Sequence, residues 1–441
     1  MKHKLKRTIG LLGTLFLLSL QSLTAQDSSR KITLKEAIDL GITSSHLLKN
    51  NKAKIDEAIA ATQEANERKL PDFSVSGSYI YLPVQPNIVM KSSSGSGGGG
   101  PKVNQVIYGM ASASLPIYGG GKINYGIESA KYLEQAARLD AEQNKEAIIL
   151  NTINAYSNLF KSKSTVELVK ENLQQSNQRV KDFLNLEKNG LLARNDLLKA
   201  ELQTSNIELT LLDAESNYKL AGVNMALMLG IPEQTLLVPD SASFIQPVKL
   251  KTLDEYEQLA LLERKDVGVL SLRKKVADIG IKTAKADYYP SLALSAGYVA
   301  ADIPNFLTVT NAVNVGVGVK YSLSSLWKTK SKIAQAQAMV QQLTANELML
   351  NDQIRLQINQ AYQAYLLSQK KIEVYQKAVE QATENYRITK NKYDNSLATT
   401  TDLLDADVAQ LQTKLNLTNA AADEVVAYNK LLQTAGIINN N

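Results

Sequence analysis

Two stretches of the chain, Lys122–Lys188 and Lys328–Asn395, contain no proline and no glycine after Gly126. In the first, Val166, Val169, Leu173, Ser176, Val180 and Phe183 follow a 3-4-3-4-3 spacing, and Ile372, Tyr375, Val379, Ala382, Tyr386 and Thr389 repeat it in the second. That spacing predicts two very long helices with one narrow packing seam each, the pattern of an antiparallel coiled coil. A helix of roughly 65 residues would extend about 100 Å. Return helices should complete the seam through Leu198, Leu202, Ser205, Leu209 and Leu212, and through Leu404, Val408, Leu411, Leu415 and Thr418. The rest of the helical surface is rich in Gln, Asn, Lys, Glu, Ser and Thr, which a dry core would leave unpaired. Water on two sides, as in a tube, satisfies it, and so does a free-standing rod.

A second periodicity marks strands. Val313, Val315, Val317, Val319 and Tyr321 alternate with Asn314, Gly316, Gly318, Lys320 and Ser322. Phe73, Val75, Tyr79 and Tyr81 oppose Ser74, Ser76 and Ser78, and Leu292, Leu294 and Tyr298 oppose Ser295 and Gly297. Apolar residues outward and small polar ones inward suit a lipid-facing barrel strand, although a strand with one face on a soluble core has the same period. Four such strands are too few to close a spanning barrel, which takes about eight, so the barrel reading requires several copies of the chain.

The elements come twice. Ile127–Ile231 aligns with Ile333–Ile437 without a gap, "ERKLPDFSVSGSYIYL" resembles "KADYYPSLALSAGYVA", and "ASASLPIYGGGK" pairs with "VGVKYSLSSLWK". Each half reads as lead-in helix, strand, loop, strand, very long helix, turn and return helix, so the chain is an ancient duplication. The expected segments are a signal peptide (1–25), lead-in helices (26–70), a first strand pair with a Gly/Ser-rich outer loop (71–118), a first coiled-coil repeat (119–231) and a linker (232–252). A second lead-in helix (253–289), strand pair (290–323), coiled-coil repeat (324–437) and short tail (438–441) follow. Pro71 and Pro290 stop the lead-in helices. Gly119, Gly120 and Gly121 free the backbone for a sharp bend from strand to helix. Trp327, Tyr321, Tyr79, Tyr81 and Tyr118 suit either interfacial anchoring or packing at that bend.

Composition narrows the function. Hydrophobic residues make up 44% and aromatics only 6%, which suits long polar helices better than several compact cores. There is no cysteine, which excludes disulfides, thiolate metal sites, cysteine nucleophiles and a lipidated N-terminal cysteine. Lys2, Lys4, Lys6 and Arg7 precede "TIGLLGTLFLLSL" and "QSLTA", the layout of a secretory signal peptide cleaved after Ala25. Without those four cations the formal charge falls from +6 to +2, so no nucleic-acid partner is implied. Beyond Ala25 no apolar run spans a bilayer, and a membrane crossing would have to use strands. The two histidines, His3 and His46, form no catalytic or metal-binding group, and neither "SGSGGGG" nor "YGGGK" has the spacing of a phosphate loop. No enzyme, cofactor or metal is expected.

The turns between long and return helices carry the candidate chemistry. Lys188-Asn189-Gly190 and Asp394-Asn395-Ser396 read as turns. Asp196 and Asp402 then fall in the first turn of the return helices, where an acid caps the helix or offsets its positive terminus. Asp405 lies beyond what a cap requires. With Asp402 it forms an i, i+3 pair on one helix face, and in a ring of subunits such pairs gather acids around an axis, attracting cations. Lys199 occupies the place of Asp405 in the first repeat.

The whole mature chain resembles the TolC-like outer-membrane efflux proteins. The likeness lies in the duplicated strand–strand–long-coil plan, in "LPIYGGGK" (Leu115–Lys122) at the strand-to-helix junction and in "KYDNSLATTTDLLDA" (Lys392–Ala406) at the coil tip. The resemblance implies a mainly α fold in which long antiparallel coiled-coil helices form a periplasmic tunnel. It also implies a small membrane β-barrel portion, shared among three chains and 12-stranded, within the range of about 8 to 26 strands. It implies further a homotrimer in outer-membrane lipid, docked to a periplasmic adaptor protein and an inner-membrane transporter, with the tip as a closed iris. The family's paired gate aspartates match Asp402 and Asp405, and its gate tyrosine matches Tyr393, with Asp196 as that tyrosine's partner. The usual gate arginine falls at Ala398, with Arg194 as the candidate substitute, and the usual second-turn glycine is Ser396. The rival reading from the residues alone is a secreted structural or adhesive coiled-coil protein without a pore.

Overall fold

The computed structural model describes residues 29–84, 86, 102–240, 250–304 and 306–440. The expected signal peptide and its cleavage after Ala25, His3 and the Ser92–Gly100 loop lie outside them. The elements are β1 (Arg30–Ile32), α1 (Leu34–Ser44), α2 (His46–Glu67), β2 (Asp72–Tyr81), β3 (Gln105–Tyr118), α3 (Lys122–Lys188) and α4 (Arg194–Leu229). The second half continues with β4 (Leu237–Pro239), α5 (Leu253–Glu263), α6 (Lys265–Lys285), β5 (Ser291–Ile303), β6 (Leu307–Lys320), α7 (Ser325–Asp394) and α8 (Thr400–Thr434). Short 3₁₀ turns at Ala286–Tyr288 and Ile438–Asn440 complete it. Two compact units interleave along the chain. The first is drawn from the described parts of Met1–Lys49, Glu142–Arg264 and Asn351–Asn441, and the second from those of Asn50–Ala141 and Lys265–Leu350.

The second unit holds an antiparallel sheet in the order β2-β3-β5-β6. Its register aligns the alternation of all four strands: Phe73 faces Ala113, Ala113 faces Ala296, and Ala296 faces Val315. Apart from Gln105 and Asp302 at one end, that face is apolar, and among the described residues nothing covers it: Phe73, Val75, Val313, Val315, Val317 and Val319 are 65–87% exposed. Tyr321 continues that face just past the end of β6. The other face runs Ser74, Ser112, Gly297, Asn314, with Ser74 and Ser112 hydroxyls 2.8 Å apart. Within the chain β2 and β6 are edges, each paired on one side only. Helices α2 and α6 stop before Pro71 and Pro290 as the prolines require. Among the three junction glycines, two are needed by the backbone. Gly120 has φ +64°, and a Cβ there would sit 2.6 Å from the Ala286 carbonyl oxygen; Gly121 has φ +86° over the Tyr125 ring; Gly119 faces open space.

In the first unit the core forms around Tyr156, wholly buried among Ile32, Ala37, Leu159, Met225, Leu229 and Leu237. Its hydroxyl donates to the Ile32 carbonyl at 2.9 Å and accepts from the Asp240 amide at 2.8 Å. Ile32 ends β1 and Asp240 directly follows β4, and the parallel pair β1–β4 joins the N-terminal segment to the expected linker. Three-residue strands carry too little periodicity to be read from sequence. The other copy differs: Tyr256 and Tyr362, and Tyr365 and Tyr428, meet as two tilted ring pairs.

The long-helix seams fall as the spacing predicts. Val169, Ser176 and Phe183 are buried and Val166, Leu173 and Val180 half-buried on α3, and all six α7 seam residues are half-buried. The return helices correct the expectation. Leu198, Leu202, Leu209 and Leu212 are 49–65% exposed, and the buried row on α4 is its neighbour, Leu197, Ala200, Thr204, Ile207 and Ala214. Both rows have seam spacing; the packed one carries small residues that let the helices approach closely, with Ser176 and Thr204 hydroxyls 2.8 Å apart across the seam. On α8 the expected row splits, with Leu404 buried and Val408 46% exposed. Among the described residues no helix is long and apolar enough to cross a membrane.

Candidate functional site

The two turns, all within the first unit, repeat at atomic detail. At the end of α3, Gly190 donates its amide to Glu187 and Leu191 donates back to Leu186, both at 2.9 Å. At the end of α7, Ser396 donates to Tyr393 at 2.9 Å and Leu397 to Lys392 at 2.7 Å. These are paired bonds of a left-handed helix C-terminus. Gly190 takes φ +71° without strain, whereas Ser396 must take φ +60° with a Cβ. The serine thus keeps the left-handed turn at a conformational cost. Asn189 and Asn395 each close their turn by donating to the residue four before, at 2.7 Å.

The two return helices start differently. On α8, Thr399 and Asp402 form a reciprocal capping box: the Asp402 amide donates to Thr399 Oγ1, while Asp402 Oδ2 accepts from the Thr399 amide at 2.9 Å and its hydroxyl at 2.7 Å. Those bonds hold the exposed Asp402 carboxyl below its ordinary pKa, so it is ionised at neutral pH. Asp405, one turn on and exposed, makes no ion pair among the described residues. Helix α4 begins without a side-chain cap, and Asp196 instead pairs with Lys199 at 3.2 Å. Lys199 also reaches Thr401 Oγ1 at 3.5 Å, linking the first turn to the second. The first turn therefore neutralises itself, and the second presents two acids.

Tyr393 lies half-buried, stacked on Phe183 with ring centroids 5.5 Å apart. No hydrogen bond joins it to Asp196 among the described residues, contrary to expectation. Burial, then the charges of Asp196 and Asp394, push the Tyr393 phenol above its ordinary pKa, against the opposing influence of the Thr400 side chain. Asp196 is thus a neighbour held back by Lys199. Arg194 ties its own turn through Glu187 at 3.6 Å. Beneath the turns Phe183, Leu197, Ala200 and Leu403 make a small apolar core shared by α3, α4 and α8.

Below that core sits a group the sequence reading did not single out. Arg179 of α3 donates to Asp407 Oδ2 of α8 at 3.0 Å and to the Tyr386 hydroxyl of α7 at 3.3 Å. Asn172 donates to Asp407 Oδ1 at 3.2 Å. Asp407 is 1% exposed and Arg179 8%. Burial works against the Arg179 cation, but the hydrogen bond and charge of Asp407 outweigh it and keep its pKa above the ordinary value. The signal was available: Arg179, three residues past Ser176 and four before Phe183, and Asp407, four residues past the buried Leu403, place opposite charges at helical spacing from packed residues of two helices.

A sequence profile of the outer membrane efflux protein family matches residues 37–231 and 257–437. The alkaline protease secretion protein AprF of Pseudomonas aeruginosa is 21% identical over 321 residues, which is 71% of this chain and 65% of that protein. The chain thus spans just under two thirds of that relative's length. The fold matches the outer membrane protein VceC of Vibrio cholerae with a TM-score of 0.74 at 21% identity, covering 91% of this chain and 96% of that one. It matches the Campylobacter jejuni CmeC outer membrane channel with a TM-score of 0.74 at 17% identity, covering 92% and 86%.

Proposed function

The chain belongs to the outer membrane efflux protein family, and from that premise we propose that three copies form a passive outer-membrane export duct with a long periplasmic extension. The four-stranded sheet carries this reading. Its apolar face is bare and both its edges are open, and an exposed sheet of that kind needs lipid on one side and further strands on the others. Three such sheets supply twelve strands. The exposed leucine row on α4 supports the same assembly, because it gives each chain a second seam for a neighbouring copy.

On this reading the turns form the closed end. Asp402 and Asp405 from three copies make a ring of acids that attracts cations and resists anions, while Asp196 and Lys199 cancel. Opening breaks the Lys199–Thr401 and Tyr393–Phe183 contacts, and Arg179–Asp407 holds the two coils together below the moving turns. Gly190 and Ser396 set the turn geometry. A periplasmic adaptor docks at the turns, where Leu191 and Leu397 are 74% and 77% exposed, and an inner-membrane transporter supplies the energy. In planar bilayers the unsubstituted protein should conduct with a cation preference and be blocked by multivalent cations. Asp402→Asn with Asp405→Asn should abolish the block; unchanged block and selectivity would remove these acids from the gate.

A further inference from the structure

The register places the end of β6 beside the start of β5, Lys320 opposite Ser291, and the end of β3 beside the start of β2. At this end of the sheet, charge is distributed unevenly. Between Asp302 and Glu347 the chain has no acid but four lysines, Lys320, Lys328, Lys330 and Lys332. Ser325 and Thr329 turn the inner side of the first turns of α7 toward the protein, being 9% and 1% exposed. Lys328 and Lys330 are exposed on the flanks of that helix and make no ion pair among the described residues. Trp327 is 64% exposed, and Tyr321 is 40% exposed where the apolar sheet face ends. Of the four, Lys332 alone forms an ion pair among the described residues, sharing Asp287 with Lys122. That carboxylate is outnumbered by the lysines around it, and Asp72 opens β2 on the opposite edge of the sheet.

Amphipathic aromatics beside long cationic side chains, just where a lipid-facing band stops, are the composition of a membrane–water boundary. An ammonium on a flexible stem reaches phosphate oxygens from there, and exposed lysines without acidic partners favour a leaflet that carries negative charge. Resting on the channel reading above, we propose that this lysine collar binds the phosphodiester headgroups of anionic phospholipids in the leaflet at that end of the barrel. The second repeat does most of this binding, because the corresponding stretch of the first, "IYGGGKINYG", contributes only Lys122.

The test uses the full chain, solubilised and given equal amounts of phosphatidylglycerol and phosphatidylcholine, with retained lipid counted by native mass spectrometry. Phosphatidylglycerol should be retained in excess, by about fivefold for each lysine engaged. Lys328→Gln with Lys330→Gln should lose most of that preference, and Lys328→Arg with Lys330→Arg should keep it. Millimolar inorganic phosphate should not displace the lipid, since free phosphate lacks the acyl anchor beside Trp327 and Tyr321. Equal retention of the two lipids by the unsubstituted protein overturns the inference, as does full preference in the glutamine variant or displacement by phosphate. A protein that conducts in planar bilayers without any lipid preference sinks this inference alone; one that never conducts sinks the channel reading.

Discussion

Replacing Asp407 by leucine should loosen the coil tip far more than replacing both members of its ion pair. Asp407 is 1% exposed and is the carboxylate that faces Arg179, itself 8% exposed. Its removal leaves a buried guanidinium with only the Tyr386 hydroxyl, at 3.3 Å, and strands the Asn172 amide. An uncompensated buried charge of this kind costs about 3–5 kcal/mol. Arg179→Met with Asp407→Leu removes both charges into a site already lined by apolar seam residues and should fall within about 1–2 kcal/mol of the unsubstituted protein, or above it. The assay is amide hydrogen exchange along residues 400–410, which reads the free energy of local opening. At about 1.4 kcal/mol per factor of ten, Asp407→Leu should speed exchange there by about a hundredfold or more. The double variant should stay within about thirtyfold, and because the pair is buried the difference should persist in high salt. Exchange rising less than fivefold in Asp407→Leu, or equally in both variants, would refute the reasoning.

Three further outcomes follow from the site and its surroundings. Ser396→Gly relieves the φ +60° strain and should raise tip stability by about 0.5–1 kcal/mol in exchange or thermal unfolding, less than the full left-handed penalty because glycine also loosens the unfolded chain; a loss of stability would contradict it. The Asp402 carboxyl is depressed by its bonds to Thr399, so its capping contribution is complete above its ordinary value of 3.8 and fades as pH falls through the lower folded value; exchange at the start of α8 should quicken in that window, and Asp402→Asn should not show the same profile. Leu202→Lys with Leu209→Lys alters side chains already 65% and 61% exposed in a single chain, so helix content by circular dichroism should hold while trimer assembly fails; intact trimers would show that row to be no interface.

Much of this fold was legible because its repeats are long and its periods clean. The α3 and α7 boundaries, the alternation on β6 and the prolines ahead of β2 and β5 each follow from one local rule. The return helix was misread because α4 carries two adjacent rows of seam spacing. Size favoured the row of Leu198, Leu202, Leu209 and Leu212, but packing chose the row with Ala200, Thr204 and Ala214, where helices come closer. Asp402 was visible as an acid, and its reciprocal bond with Thr399 became so only once the helix start was fixed at Thr400. Arg179 and Asp407 are 228 residues apart, and only the duplicated topology brings them together. Asp196 pairs with Lys199, three residues on, a partner that the match of Tyr393 to Asp196 did not include.

The central claim is that one chain is an incomplete barrel. Light scattering on the purified full-length protein, with and without detergent, tests it most directly. The account predicts particles of three chains in detergent and aggregation when the detergent is withdrawn; monodisperse single chains stable in plain buffer would contradict it.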